Sequence, residues 1–373
     1  MNNKIEQLCK NFNISGNLLG YKTFTNGHIN TTLLTRFEHN GKVNDYVLQK
    51  INKNVFKHPE SVMYNIVNVT EFIKEKLITE GKNTDQKVLQ FAPATNGDYF
   101  VVDEDGDYWR LSKYIVNSTT FDTTDSLDIL EQTGKAFGEF QQLLDGYPIK
   151  DLEIIIPHFH DTINRYKIFK NILKNNPVDR VKYIQSEIKD YLNLTKLATQ
   201  ICRMKEQGQL PARVTHNDTK CNNVLFDKST GEYLCVIDLD TIMPGLACFD
   251  FGDAVRFATN TCSEDETDLS KVKIDLNKFD ALTRGYLSKA GSSLTPNELK
   301  TLSLGAITMT IECGLRFLTD YIDGDNYFKI DYPEHNLDRS RCQLALAKDM
   351  IKNYYQMQQI VEKYYKQYSQ NQY

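Results

Sequence analysis

The residues whose types and spacing suit chemistry lie in one segment, Val214 to Phe226, where a polar loop separates two apolar runs. The loop contains His216, Asp218 and Asn223, which have the His-x-Asp-x-x-x-x-Asn spacing of a kinase catalytic loop. With this spacing the carboxylate can orient an acceptor hydroxyl while the amide turns back toward a metal ion. The segment therefore predicts phosphoryl transfer; the alternative is that these residues only form turns between strands.

A second segment supplies further oxygen ligands. Residues 235–240 have the pattern of a buried strand that ends in two carboxylates, Asp238 and Asp240. Oxygen ligands of this kind hold Mg²⁺ on nucleotide phosphates, so Asn223, Asp238 and Asp240 are predicted metal ligands, with Asp240 holding a second ion or a sugar hydroxyl. Lys220 can offset charge on the phosphoryl group in the transition state.

The composition excludes several other classes of function. The 373 residues include 44 Lys and Arg against 49 Asp and Glu, a formal net charge of −5, so the basic excess of a general nucleic-acid binder is missing. The eight cysteines are scattered without a C-x-x-C pair and predict reduced thiols. No apolar stretch approaches the roughly 18 residues of a membrane span. We expect a soluble, cytoplasmic protein without nucleic-acid or membrane partners.

The elements that must position the loop divide the chain into two parts. Residues 1–115 predict a small lobe with an antiparallel sheet of five strands and one helix. Residues 116–373 predict a larger, mainly helical lobe that is interrupted by strands only in the block 214–240, so the fold class is α+β. The predicted strands lie within 17–51, 99–102 and 109–115, and the predicted helices are 59–78, 125–145, 158–175, 179–207, 276–290, 296–321 and 338–368.

The chain resembles the aminoglycoside phosphotransferase and choline kinase superfamily, and within it the N-acetylhexosamine 1-kinases. The resemblance spans about residues 20–345 and rests on the motifs at 26–30, 48–52, 216–223, 236–245, 249–253 and 312–317. It implies a bilobal protein-kinase-like fold, with nucleotide bound by the lobe 1–115 and with catalysis and sugar binding in the lobe 116–373. It also implies phosphorylation of the anomeric hydroxyl of GlcNAc or GalNAc, with ATP as co-substrate and Mg²⁺ as cofactor.

By this resemblance, nucleotide phosphates are bound by a turn that contains Asn26 and Gly27, although a single glycine is also consistent with an ordinary β-turn. The third strand should supply a base for the α- and β-phosphates. The family position of that base is Gln49, whereas the charged residue is Lys50, and alternation along a strand puts the two side chains on opposite faces. The hinge that meets adenine is expected at Lys113, Tyr114 and Ile115.

The acceptor is expected to contact the large lobe and the phosphate turn. Arg316 lies in a mostly apolar helical run, residues 311–318, so it is either paired structurally or exposed to a cleft. Tyr327 follows a turn, where it either stacks on a sugar ring or packs at the surface. His28 can approach the acceptor from the phosphate turn. The predicted substrate-binding residues are therefore His28, Asp218, Arg316 and Tyr327.

The tripeptide Asp250-Phe251-Gly252 has the sequence of the metal-binding motif of protein kinases, but it lies too far after Asp218 to have that role. It begins 250 − 218 = 32 residues after Asp218, whereas Asp238 ends the strand that follows the loop directly. The metal is therefore assigned to Asp238, and Asp250 is expected to cap a helix or to brace the catalytic loop.

Two other functions are compatible with these motifs. The first is a kinase of the same fold that acts on choline, ethanolamine, homoserine or an aminoglycoside; a cationic acceptor would require an acidic or aromatic pocket. The second is a nucleotide-binding pseudokinase, which the irregular phosphate turn favours and the complete set of Asp218, Asn223 and Asp238 opposes.

Overall fold

A computed structural model of the protein describes residues 2–24 and 29–369. These residues form a bilobal α+β fold, with an antiparallel sheet in the N-terminal lobe and a mainly helical C-terminal part, which confirms the predicted fold class. No helix in the described ranges is long and apolar enough to cross a membrane.

The N-terminal lobe is built on a five-stranded antiparallel sheet with the strand order β1-β2-β3-β5-β4. Its strands are β1 (Asn17–Phe24), β2 (Thr31–His39), β3 (Lys42–Lys50), β4 (Val101–Val102) and β5 (Tyr108–Lys113). The predicted helix is α2 (Pro59–Thr79), and a further helix, α1 (Asn2–Cys9), is absent from the predicted elements. Among the described side chains of helix α1, those buried are Ile5, Leu8 and Cys9, a pattern too short to be read from the sequence.

Strand register decides which side chains share a face of this sheet. The hairpin between β2 and β3 turns at Asn40 and Gly41, whose φ angles of 54° and 78° are left-handed, as in the favoured two-residue turns. On the other side of β3, which pairs with β5, Gln49 lies opposite Arg110. Because residues directly opposite one another share a face, Gln49 and Arg110 lie together, and Lys50 lies on the other face.

The C-terminal part contains nine described helices, of which α9 is central and contacts six others: α4, α5, α6, α7, α10 and α11. Their bounds are α3 (Leu127–Leu143), α4 (Thr162–Asn175), α5 (Gln185–Ala198), α6 (Gln200–Glu206), α7 (Ala247–Ala258), α8 (Leu276–Ala290), α9 (Pro296–Asp323), α10 (His335–Lys352) and α11 (Tyr354–Ser369). Helix α9 begins with a capping box in which Thr295 and Glu298 exchange hydrogen bonds. Glu298 also pairs with Arg213, so the start of the central helix is tied to the strand that leads into the catalytic loop.

Three predicted helices differ in extent from the observed ones. Helix α4 begins only after Asp161, because the Asp161 carboxylate accepts a hydrogen bond from a backbone N–H of its first turn. The segments 179–207 and 338–368 each form two helices, with breaks at Thr199 and Asn353. Hydrophobic spacing continues across both breaks, which is why the sequence predicts single helices.

Short strands lie where the two lobes meet. Strand β7 pairs with β10, and β8 pairs with both β6 and β9, all antiparallel. Strands β7, β8 and β9 agree with the predicted block 214–240, whereas β6 and β10 lie outside it. Their bounds are β6 (Ser118–Thr119), β7 (Arg213–Thr215), β8 (Val224–Asp227), β9 (Tyr233–Val236) and β10 (Met243–Gly245).

Helices α7 and α9 approach each other closely through two glycines. A Cβ atom on Gly305 would lie 2.0 Å from the carbonyl oxygen of Cys248, and one on Gly252 would lie 2.5 Å from the carbonyl group of Gly305. The atoms in the way belong to the backbone and cannot rotate aside. The position of α7 therefore depends on the absence of side chains at both glycines.

We expect Gly305→Ala to lower the free energy of unfolding by about 1–3 kcal/mol, the usual cost of overpacking a well-packed core, because α7 must move away from α9. Urea denaturation measures this change. The matched control is Gly20→Ala, whose added Cβ meets nothing within 4 Å. Equal stability of the two variants would contradict the close-packing argument.

Candidate active site

The catalytic loop, residues 215–223, begins where β7 ends. Thr215 Oγ1 donates to the carbonyl oxygen of Met243 at 2.9 Å, and Asn217 Nδ2 donates to that of Thr241 at 2.8 Å. Asn217 has a left-handed φ of 65°, a conformation that asparagine tolerates better than most residues. The chain therefore reverses at Asn217 and leaves the next residue, Asp218, partly exposed.

Asp250 braces this loop from helix α7. Its two carboxylate oxygens accept hydrogen bonds from the backbone N–H groups of His216 and Asn217, both at 2.8 Å. Burial raises the pKa of Asp250 to about 6, although the electrostatic effect of His216 and the two N–H donors act in the opposite direction. Asp250 lies inside the first turn of α7 rather than at its cap, so of the two predicted roles the structure supports the brace.

Asp253, one turn further along α7, holds the next part of the loop. It accepts a hydrogen bond from the backbone N–H of Thr219 at 3.1 Å and pairs with Arg256 at 3.0 Å. Burial acts to raise the pKa of Asp253, but the charges of Arg256 and Lys220 outweigh it and lower that pKa. A fixed negative charge therefore lies beneath the loop.

His216 connects the loop to the segment that carries Asp238. Its Nε2 lies 2.9 Å from the carbonyl oxygen of Ile237, and its Nδ1 accepts from the backbone N–H of Asp218 at 3.3 Å. This arrangement places the proton on Nε2. The ring packs edge-on against Phe137 and Phe140.

The structure brings Asp218, Lys220 and Asn223 together as the spacing predicts. Asn223 Nδ2 donates to the carbonyl oxygen of Asp218 at 2.8 Å and to its carboxylate at 3.1 Å. Lys220 Nζ lies 2.9 Å from the other carboxylate oxygen of Asp218. Burial acts to lower the pKa of Lys220, but the charges of Asp218 and Asp253 outweigh it and raise that pKa, so Lys220 is an ammonium.

Asp238 lies at the end of β9 in a left-handed conformation with φ of 60°. Solvent reaches one side of its side chain. Loss of hydration on the side that faces the protein, together with the charges of Asp240 and Asp218, raises the pKa of Asp238 to about 6. A carboxylate whose pKa is raised by the negative charge of others gains from a neighbouring cation. Asp238 is therefore the strongest candidate ligand for a divalent ion in this region.

The donor set fits Mg²⁺ better than a transition metal. The described residues contain no group of three or more His, Cys, Asp or Glu side chains that could hold an ion alone. Mg²⁺ is usually held by one or two protein oxygens together with phosphate oxygens and water. Asn223 can offer its amide oxygen, since its Nδ2 faces Asp218, and Asp238 can offer a carboxylate.

Asp240 is predicted to hold a second ion or a sugar hydroxyl, but in the structure other residues already occupy both of its carboxylate oxygens. One of its oxygens pairs with Arg110, and the other accepts from Asn30 Nδ2 at 2.5 Å. Its side chain is only 3% exposed. Both oxygens are thus engaged by residues of the N-terminal lobe, a contact that depends on the fold and has no signature in local sequence.

The two candidates for the phosphate-binding base, Gln49 and Lys50, lie on opposite faces of the sheet and contact different residues. Gln49 accepts from Arg110 Nε at 3.1 Å, on the side of the sheet that reaches Asp240. Lys50 pairs instead with Asp107 at 3.1 Å, in the turn before β5. The cation on the Gln49 side is therefore Arg110, which the sequence reading does not single out.

Other predicted nucleotide contacts are placed as follows. The backbone N–H groups of Lys113 and Tyr114 donate to the carbonyl oxygens of Gln90 and Asp45, at 2.9 and 3.0 Å, so these two amides are occupied within the protein. Ile115 is buried. The predicted residues Asn26, Gly27 and His28 lie outside the described residues.

Arg316 and Tyr327 lie together at the end of α9. The Arg316 guanidinium is 5.7 Å from the Tyr327 ring centroid and 5.2 Å from that of Phe328. Asp320 does not pair with Arg316; it accepts from the backbone N–H groups of Tyr327 and Phe328 and so fixes this loop. Tyr327 is 71% exposed and available for stacking.

Three polar residues near the catalytic loop are absent from the predicted site. His160 Nδ1 lies 3.0 Å from Glu312, and its Nε2 lies 3.3 Å from the carbonyl oxygen of Asn217. Burial acts to lower the pKa of His160, but the hydrogen bond and charge of Glu312 outweigh it and raise that pKa. Glu312 Oε2 and Arg165 Nε are buried without a hydrogen-bond partner in the described ranges. Two features of the sequence could have pointed to these residues. Glu312 lies in the motif at 312–317, and His160 and Arg165 follow His158 in a largely polar segment.

Comparison with protein families confirms the superfamily resemblance. The family model described as "Phosphotransferase enzyme family" (APH) matches residues 21–271, more than half of the chain. The protein therefore belongs to this family of small-molecule phosphotransferases.

Solved structures with low sequence identity share the fold. An aminoglycoside phosphotransferase from Alicyclobacillus acidocaldarius superposes with a TM-score of 0.64 at 11% identity, over 95% of this chain and 96% of that one. A choline kinase from Cryptosporidium parvum superposes with a TM-score of 0.57 at 14% identity, over 98% and 99%. A spectinomycin phosphotransferase in complex with ADP and spectinomycin gives 0.54 at 11% identity, over 94% and 98%.

We expect Asp250→Asn to lower the free energy of unfolding by about 1–3 kcal/mol, because an amide can accept from only one of the two backbone N–H groups and leaves the other unsatisfied. The kcat of phosphoryl transfer should fall as well, since Asp218 directly follows the braced residues. Urea denaturation and initial-rate assays measure the two effects.

The control for this variant is Asp125→Asn, which alters a carboxylate that is 97% exposed and pairs only with Lys278. If Asp250→Asn matched the control in both stability and kcat, the role of Asp250 as a brace would be refuted.

Proposed function

We propose that this protein is an ATP- and Mg²⁺-dependent kinase that phosphorylates the anomeric hydroxyl of N-acetylhexosamines such as GlcNAc and GalNAc, giving the sugar 1-phosphate. The observation that carries the kinase assignment is the convergence of Asp218, Lys220 and Asn223 in one braced loop beside Asp238. The family membership and the ADP bound to a protein of the same fold support a nucleotide as the donor.

Asn223 and Asp238 would hold Mg²⁺ in this scheme. When bound, the ion would neutralise charge on the nucleotide phosphates. The amide donor of Asn223 is already directed to Asp218, which turns its carbonyl oxygen away from that carboxylate. The same side chain thereby orients Asp218 and offers a ligand atom.

Asp218 is the group that orients the acceptor hydroxyl. It accepts the hydroxyl proton as the acceptor oxygen bonds to the γ-phosphorus and the bond to the ADP oxygen breaks. Lys220 lies against Asp218 and places an ammonium where negative charge spreads over the transferred group. His216 and Asp250 act on the reaction only by holding the loop.

The charges near the loop favour a neutral acceptor. Burial and the charge of Arg316 lower the pKa of Arg165. The nearby carboxylate, Glu312, is already paired with His160. A cationic amino alcohol or aminoglycoside would meet a basic region there, whereas the hydroxyl and amide oxygens of an N-acetylated sugar can accept from guanidinium donors.

The acceptor is tested by measuring ADP release with ATP and Mg²⁺ against GlcNAc, GalNAc, choline, ethanolamine, homoserine and an aminoglycoside. We expect kcat/KM for an N-acetylhexosamine to exceed that for every cationic acceptor by at least about tenfold, because a site that hydrogen-bonds its substrate discriminates more strongly than an apolar pocket does. Turnover confined to an amino alcohol would refute the sugar assignment and keep the kinase.

The matched variant in this assay is Asp218→Asn. It should lower kcat by about 10²–10⁴-fold, the usual contribution of a general base, and leave ADP affinity unchanged. Full activity in this variant would show that Asp218 is not the base. ADP binding without turnover of any acceptor by the unmodified protein would instead indicate a pseudokinase.

A further inference from the structure

A buried ion pair joins the two lobes at the base of the cleft. It connects Arg110 of β5 with Asp240, which lies beyond β9 in the C-terminal part. Both side chains are only 3% exposed. Burying two opposite charges costs free energy unless further hydrogen bonds satisfy them, so their other partners are informative.

The guanidinium of Arg110 is held from several sides. Its Nε donates to Gln49 at 3.1 Å, and its Nη1 lies 3.9 Å from the sulfur of Met63 on α2. The ring centroid of Phe91 is 6.0 Å away. These contacts hold the guanidinium group of Arg110 in an orientation that directs it at Asp240.

The second oxygen of Asp240 contacts a different part of the N-terminal lobe, at Asn30. It accepts from Asn30 Nδ2, and Asn30 Oδ1 in turn accepts from the backbone N–H of Asn52 at 3.0 Å. Asn30 lies immediately before β2. One carboxylate of the C-terminal part therefore binds two separate segments of the N-terminal lobe.

Asp240 is also two residues from the candidate metal ligand. A short 3₁₀ turn, residues 239–241, directly follows Asp238. The position of Asp240 therefore limits where the Asp238 carboxylate can point. Through the pair with Arg110, the N-terminal lobe acts on the geometry of the metal ligand.

We propose that Arg110 is a positioning residue: by binding Asp240 it holds the loop of Asp238 against the N-terminal lobe, so that the metal ligand faces the nucleotide bound by that lobe. Asp240 then serves as the partner of Arg110 and not as a ligand of a second ion. This inference rests on the proposed function, because it assumes that the site binds a nucleotide with Mg²⁺.

The arrangement differs from that of protein kinases, where a lysine on the third strand pairs with a glutamate of the helix. Here the third strand presents Gln49 toward the cleft, and Lys50 pairs with Asp107. On helix α2 the residue against the cation is Met63. The cation comes from β5 and its carboxylate from the metal loop, so the ion pair itself spans the two lobes.

The test is calorimetric titration of ADP with and without Mg²⁺, using the full chain and no acceptor. We expect Arg110→Lys, which keeps the charge but loses the planar geometry that reaches both Gln49 and Asp240, to reduce the Mg²⁺-dependent gain in ADP affinity by about tenfold or more. ADP affinity without Mg²⁺ should not change. The control is Arg36→Lys, an arginine paired with Asp45 at the surface of the same sheet.

A double variant separates positioning from folding. Arg110→Met leaves a buried carboxylate unpaired and can unfold the protein, whereas Arg110→Met combined with Asp240→Asn removes both charges. We expect the double variant to keep its thermal stability and still lose the Mg²⁺-dependent gain. Retention of the full gain in the double variant would overturn the inference.

If Asp240 were a metal ligand, Arg110→Lys would release it, and the Mg²⁺-dependent gain would stay the same or grow. That result, or ADP binding insensitive to Mg²⁺ in the unmodified protein, would also overturn the inference. Absence of turnover with every acceptor would remove the proposed kinase activity but leave this binding measurement and its outcome intact.

Discussion

One buried carboxylate, Asp250, sets the geometry on which the site depends. It binds two consecutive backbone N–H groups of the catalytic loop, so the loop has little freedom relative to helix α7. Helix α7 is fixed against α9 because Gly252 and Gly305 let the two backbones touch. The start of α9 in turn binds the strand before the loop, through Glu298 and Arg213. A closed set of contacts thus links the loop to the centre of the C-terminal part.

Charges in the cleft come from both lobes and balance locally rather than over the whole chain. Asp218 is offset by Lys220 within the loop, and Asp240 is offset by Arg110 from the opposite lobe. Asp238 is left as the carboxylate with a raised pKa and exposure to solvent, which are the properties expected of a group that gains from a bound cation. The formal charge of −5 therefore says less about the site than these two ion pairs and the remaining carboxylate of Asp238 do.

The sequence predicts the lobes and the catalytic loop because their signals are local. Strand alternation, helical spacing and the His-x-Asp-x-x-x-x-Asn pattern each lie within a few residues. The choice between Gln49 and Lys50 depends on the pairing of β3 with β5, which the sequence does not reveal. Arg110 was missed because its partner is 130 residues away along the chain. The contact between His160 and Glu312 spans 152 residues and was missed for the same reason.

The central claim, a kinase that acts on the anomeric hydroxyl of an N-acetylated hexose, is tested most directly by ³¹P NMR of the product formed from ATP, Mg²⁺ and GlcNAc or GalNAc. The account predicts a new phosphomonoester signal split by coupling to the proton on C1 of the sugar. A phosphate coupled to the C6 protons would contradict the claim, as would a product formed only with an amino alcohol.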